Sequence, residues 1–141
     1  MKLTDSAYLL VRVDGRRVGL VLSSVVEVLE PGPVYPVPCA EPAVRGVMGV
    51  RGAIVPVVDL GALLAGAPCH SIRGQTVVVV QVAGRRVCLE VEDAEEVLRA
   101  GGLPFPPGSA LPWASGVARH PEGLIPLLDL TALGSRITET A

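Results

Sequence analysis

The chain has 141 residues, half of them hydrophobic and 18% charged, with a formal net charge of −2. That is one ordinary domain or two very small units sharing a core. It lacks the basic balance that recruits nucleic acid, and with 3% aromatic residues it lacks a base-stacking platform.

The apolar residues fall in short bursts such as Leu9–Val11, Ile54–Val58 and Val77–Val80. Such bursts suit buried strands and stop well short of the ~20 residues that span a bilayer. Met1–Asp14 lacks the shape of a signal peptide, because Asp5 closely follows Lys2 and the apolar patch ends at Arg12. The expected location is the cytoplasm. An apolar strand then meets Asp14-Gly15, a favoured pair for a two-residue hairpin because glycine accepts positive φ. Arg16-Arg17-Val18 begins the returning strand, with both arginines near solvent, and Val25–Leu29 reads as another strand. Pro31–Pro42 is a proline-rich connection, which excludes helix interior and central strand. A strand pair follows, Val44–Val50 with Ala53–Asp59. Leu60–Leu64 reads as one or two helical turns with Asp59 as N-cap.

The same plan then recurs. Val79–Val87 repeats Leu10–Val18 and Ala94–Leu98 repeats Val25–Leu29, both at an offset of 69; Leu124–Leu130 repeats Ile54–Leu60 at an offset of 70. Order is kept and the offsets nearly agree, so the chain contains a duplication. The approximate units are 7–75 and 76–133, within one domain 7–133, followed by a loose polar tail 134–141. In the second unit Leu103–Pro112 is the connection, Gly116–Ala118 pairs with Leu124–Asp129, and Asp129 caps Leu130–Leu133. Pro56 and Pro126 interrupt otherwise good strands, so those strands are expected at an edge or a bulge. Five short valine-rich strands per unit predict a small barrel. Units of ~70 residues are marginal alone, so two barrels packed together are expected. The fold class is all-β, with two pseudo-symmetric five-stranded barrels and short helical turns.

Little in the chain points to catalysis. It has no Gly-rich phosphate loop, no His-Glu-x-x-His and no nucleophile elbow. Cys39, Cys69 and Cys88 are odd in number and form no Cys-x-x-Cys, so neither a disulfide framework nor a zinc site is expected. Cys69 and His70 are adjacent, a poor arrangement for chelating one metal. No metal or cofactor is expected. The enzymatic alternative is an Asp59/Asp129 hydrolase, in which two carboxylates share a proton. Aspartic proteases place Thr or Ser directly after each Asp, however, and here Leu60 and Leu130 follow. A generic module binding extended peptides is a further alternative, against which the scarcity of aromatics argues.

Gly46-Val47-Met48-Gly49-Val50-Arg51-Gly52, with Pro56-Val57-Val58-Asp59-Leu60, resembles the signature of CheW-like chemotaxis coupling proteins. Val18–Leu22, Val25–Leu29 and Pro36-Val37-Pro38 upstream fit as well, as do Gly84–Val87 and Gly116–Ala118 downstream. The resemblance covers residues 7–133. It implies that the barrels are SH3-like and that the protein is a non-catalytic adaptor. The implied partners are the regulatory domain of a CheA-type histidine kinase, through barrel ends, and the helical cytoplasmic tips of methyl-accepting chemoreceptors, in a groove between the barrels. It implies recruitment to membrane-associated receptor arrays without membrane insertion. The implied binding residues are Arg51, Glu27, Val25, Gly46, Gly52 and Val97, with Gly46 and Gly52 serving backbone shape. Trp113 is either an interface anchor or a loop-packing residue. Gly49 and Gly61 depart from the family pattern, which has asparagine and commonly arginine there.

Overall fold

The computed structural model describes residues 6–39, 41–69, 76–105 and 111–139. Its strands are β1 (Ser6–Val13), β2 (Arg16–Val21), β3 (Val25–Leu29), β4 (Val44–Val50), β5 (Ala53–Asp59), β6 (Thr76–Val82), β7 (Arg85–Val91), β8 (Asp93–Ala100), β9 (Ala114–His120) and β10 (Gly123–Leu128). Helix α1 (Leu60–Ala65) follows β5, and α2 (Leu130–Glu139) follows β10.

The strands form two five-stranded sheets, ordered β8-β1-β2-β10-β9 and β3-β6-β7-β5-β4. Replacing each of β1–β5 by its repeat mate among β6–β10, and the reverse, turns one order into the other. The duplication is therefore structural. One expectation is corrected: a repeat does not make its own sheet. Hairpin β1–β2 joins β8, β9 and β10, while hairpin β6–β7 joins β3, β4 and β5. The seams are parallel, Gly19 beside Leu127 in one sheet and Val57–Asp59 beside Cys88–Glu90 in the other. Neither sheet closes into a ring of paired strands among the described residues.

Among the described residues, three tight turns have two successive residues at positive φ: Asp14-Gly15 (50° and 78°), Arg51-Gly52 (52° and 80°) and Ala83-Gly84 (52° and 79°). That is the backbone of a type I′ hairpin, whose twist matches its strands. Of the two places expected for the prolines, the edge is ruled out, because β5 and β10 are interior strands. Both hairpins do carry a register shift, which begins one residue after Pro56 and Pro126. Pro56 faces Val47 and Pro126 faces Val117. Val47 spends its N–H and C=O on Tyr35, and Val117 on Leu103, on the far side from the proline. The parallel ladder from β5 to β7 begins one residue after Pro56, so no donor is missed.

The core has three parts. The largest lies between the sheets and contains Val11, Leu20, Val58, Leu60, Leu63, Val78, Val80, Trp113, Leu133 and Ile137. A smaller cluster lies within each sheet: Met48, Val50, Val55, Val57, Val77, Val79 and Cys88 in one, Tyr8, Leu10, Ala118, Ile125 and Leu127 in the other. Full burial of a leucine such as Leu20 contributes about 1.5–3 kcal/mol, and the central cluster locks the two sheets together. Trp113 belongs to it, so this side chain packs a loop onto the core. Burial pushes the Cys88 thiol up to about 11, so it stays protonated.

Both aspartates are N-caps: Asp59 Oδ1 accepts from Ala62 N–H and Asp129 Oδ1 from Ala132 N–H, each at 3.1 Å. Each replaces a partner that a helix start leaves missing. Helix α1 stops at Gly66, which takes the left-handed conformation (φ 67°). Helix α2 has Arg136 at the matching position and continues to Glu139. Residues 134–139 are thus helical rather than a loose tail, and Ile137 is 5% exposed. No helix among the described residues is long and apolar enough to cross a membrane.

Candidate functional site

The tip of the β4–β5 hairpin carries Arg51, held out by the turn at positive φ. Arginine there is uncommon and costs on the order of 1 kcal/mol relative to glycine. Its guanidinium reaches β3, the opposite edge strand of the same sheet, and grips Glu27 with two bonds, Nε to Oε2 at 3.1 Å and Nη2 to Oε1 at 2.8 Å. The Arg51 side chain remains 72% exposed, whereas that of Glu27 is 17% exposed. Hydrogen bonding by Arg51 holds the Glu27 carboxyl below its ordinary range, against burial and with help from the charges of Arg51 and Arg86. A guanidinium fixed along one edge presents its other edge, preoriented, to an incoming acceptor.

The remaining expected site residues divide. Gly52 completes the turn; open space surrounds its Cα, so its requirement is φ. Gly46 lies at the other end of β4, where an added Cβ would stand 2.3 Å from the Tyr35 carbonyl oxygen. This glycine lets the proline-rich loop cross the strand and form the Tyr35–Val47 bridge. Val25 is half-buried and packs on the central core. Val97 is 48% exposed and lies on β8 of the other sheet, paired with Leu9. The structure therefore unites Arg51, Glu27 and Gly52, while Val97 belongs to the other sheet. Of the two departures, Gly49 has open space where asparagine would fit. At Gly61 an added Cβ would lie 2.8 Å from an Asp14 carboxylate oxygen. A larger residue there would push the exposed Asp14 side chain aside.

The sheet that contains β10, the second half of the folded molecule as the β5 sheet is the first, holds a parallel arrangement that sequence reading missed. His120, at the end of β9, approaches Glu96 on edge strand β8, Nε2 to Oε2 at 3.3 Å. Its Nδ1 accepts from Glu122 N–H at 3.1 Å, so the Nε2–H tautomer satisfies both contacts. Glu96 is the repeat mate of Glu27, and His120 is one residue short of the hairpin tip that Arg51 occupies. Nearby, Arg12 and Arg17 face each other across β1 and β2, and Glu95 bridges them with contacts of 2.9–3.0 Å. Arg17 also reaches Glu122 at 2.7 Å. Burial pushes the Glu95 carboxyl up, but hydrogen bonds from Arg12 and Arg17 more than offset it and hold the group below its ordinary range.

Two further features were hidden in continuous apolar runs. Below the Arg51 tip lies a trough of about 650 Å³, lined by Val37, Val47, Ile54, Val55, Pro56 and Ile137, with Arg85 and Arg86 on its rim. Ile54 is 79% exposed there. Alternation gives it away only once Val55 and Val57 are known to face inward. Arg45 joins β4 to β7 through Glu90 (2.5 Å) and approaches the capping Asp59 (3.5 Å), a buried charged cluster at the start of the hairpin. The Cys69 thiol lies beside it, donating to the Ala43 carbonyl at 3.1 Å. His70, its sequence neighbour, lies outside the described residues. No group of three or more potential metal ligands occurs among the described residues.

Comparison with known proteins agrees with this geometry. The family model of the CheW-like domain matches residues 7–137. The chain is 35% identical over 66 residues to a chemotaxis protein CheW of Rhizobium meliloti (strain 1021), a match covering 47% of this chain and 43% of that protein. The match thus spans less than half the length of that curated relative. In fold it is similar to the crystal structure of the scaffolding protein TtCheW from Thermoanaerobacter tengcongensis, with a TM-score of 0.79 and 21% identity, over 92% of this chain and 87% of that one. The chain belongs to the CheW-like domain family.

Proposed function

We propose that this member of the CheW-like family is a non-catalytic adaptor that couples chemoreceptors to a CheA-type histidine kinase in chemotaxis signalling. The observation that carries the reading is the Arg51–Glu27 pair. An exposed guanidinium is fixed on a type I′ tip by a partly buried carboxylate. Such a group recognises carboxylates or the carbonyls at a helix C-terminus, both of which a helical receptor tip offers. Gly52 shapes this tip. Gly46 holds the loop beside the Ile54 trough, where the barrel end of a kinase regulatory domain would dock. Val25 and Val97, on the edge strands β3 and β8, supply apolar surface for the receptor helix. Both capping aspartates spend an oxygen on a helix N–H, which supports a structural use over a proton-sharing dyad.

The working location under this reading is the cytoplasm, at membrane-associated receptor arrays. Calorimetric titration with the regulatory domain of the organism's CheA-like kinase tests it. Binding at micromolar affinity or tighter, about −8 kcal/mol, is expected. Arg51→Ala is expected to keep the fold and weaken binding to the kinase domain or to a receptor-tip peptide. Unchanged affinity for both partners would overturn the assignment of Arg51, and absence of binding to every such kinase of the organism would overturn the function.

A further inference from the structure

The two halves carry mirror troughs with unlike walls. In the second half Arg16, Arg17, Val18, Leu124, Ile125 and Pro126 line a trough of about 420 Å³. They are the mates of Arg85, Arg86, Val87, Ile54, Val55 and Pro56 in the larger one. Two differences stand out. In the second half Arg17 is bound by Glu95 and Glu122, so that part of the rim is neutralised. In the first half both Arg85 and Arg86 are exposed, and neither side chain donates a hydrogen bond to any described residue. The second difference is α2. Because it lacks a glycine stop, it runs past the sheet that contains β10 and onto β6 of the other sheet. Gly134 permits that approach, since a Cβ there would lie 2.7 Å from Val82 Cγ1. The helix then sets Ile137 into the wall of the first trough, beside Val87.

We propose that the Ile54 trough takes a partner segment presenting a large apolar side chain next to a carboxylate, and that Ile137 and Arg85 set this selectivity. The inference rests on the scaffold reading and adds the chemistry of the docked segment. The apolar side chain fills the space between Ile54 and Ile137. The carboxylate meets the uncompensated guanidinium of Arg85, an attraction that salt weakens. The mirror trough also carries an exposed arginine, Arg16, the mate of Arg85. It has no helix wall, however, and the carboxylate of Glu122 stands in its lining, which repels a carboxylate ligand, so it does not select the same segment.

Anilinonaphthalene sulfonate, apolar rings bearing an anion, is the probe. Saturable binding to the folded full chain is expected. Arg85→Glu should weaken it at least about fivefold, a difference on the order of 1 kcal/mol. Ile137→Val removes one methyl and should weaken it about twofold, with thermal denaturation confirming the fold. The mirror variants Arg16→Glu and Leu124→Asp should leave the affinity unchanged. Absence of saturable binding, indifference to Arg85→Glu, or equal losses from the mirror variants would each overturn the proposal. The same variants titrated with the kinase regulatory domain separate the two readings. Kinase affinity lost in Arg51→Ala but unchanged in Arg85→Glu and Ile137→Val removes this inference and keeps the adaptor. Dye behaviour as expected with no kinase binding removes the adaptor and keeps the trough's chemistry.

Discussion

The hairpins β4–β5 and β9–β10 descend from one repeat, hold the same place in their sheets, and end in different chemistry. In the first, Val50 closes a satellite core and the charge stands beyond it, on Arg51 at the tip. In the second, His120 takes the place of Val50, with its side chain only 8% exposed. The cluster beneath is leaner too, with Gly19 and Ala118 where the first half has Cys88 and Met48. The frame tolerates such divergence because each hairpin is held by its neighbours in the sheet rather than by its tip. One tip became an outward, permanently charged group; the other became part of a wall.

The largest effect should come from the crossing glycines, which both halves retain. An added Cβ would stand 2.3 Å from a backbone oxygen at Gly46 and 2.4 Å at Gly116. Backbone yields less readily than side chains, so Gly46→Ala and Gly116→Ala should each cost about 2–3 kcal/mol in chemical denaturation. Gly46 also stands at φ 156° and Gly116 does not, so the loss should be the larger at Gly46; the reverse order would break the comparison of the halves. Next comes Arg51→Gly. It removes positive-φ strain along with the guanidinium, so stability should stay level or rise by about 0.5–1 kcal/mol, while partner affinity falls about tenfold or more. A stability loss together with unchanged binding would assign Arg51 to the fold instead.

Acid sharpens the comparison further. Glu27 and Glu95 both titrate below their ordinary range in the folded state. Their stabilisation is fully present above the unfolded glutamate value of about 4.3 and is lost as pH falls through the folded values. Stability should therefore not change through these two groups between neutrality and about pH 5, then drop below about pH 4. Glu95→Gln should flatten part of that acid limb, as followed by denaturant midpoints. An undiminished limb would show that the Arg12–Glu95–Arg17 bridge contributes nothing. The smallest effect belongs to His120→Val, which copies the first half. It trades two hydrogen bonds, whose partners Glu96 and Glu122 are exposed and can turn to water, for apolar contact and should shift stability by less than about 1 kcal/mol. A larger loss would mean that the His120–Glu96 contact holds β8 in place.

Much of this was legible in the chain. Asp14-Gly15, Arg51-Gly52 and Asp59 announce their turns and cap because the requirement is local: a positive φ, or an acceptor three residues from a free N–H. Family resemblance directed attention to Arg51 and Glu27, but only the folded chain brings them together, 24 positions apart, in a two-bond grip. The end of α2 was misread because polar residues after Leu133 look solvated. The signal that remained was Ile137, one turn further along the apolar face.

By itself the sequence determined the duplication, the all-β composition, the turns, the caps and the residues that carry charge at the Arg51 tip. Each of these is written in neighbouring residues or in a repeated order. Tertiary structure alone decided which strands share a sheet, and with that the exchange of hairpins β1–β2 and β6–β7 between repeats. Runs such as Val77–Val80 are buried throughout and carry no alternation that would name a partner. Mate strands from the two repeats are near copies, so local sequence hardly distinguishes pairing within a repeat from pairing across them. The choice falls to long-range packing, here the parallel seams at Gly19 and Val57 and the central core that both sheets close upon.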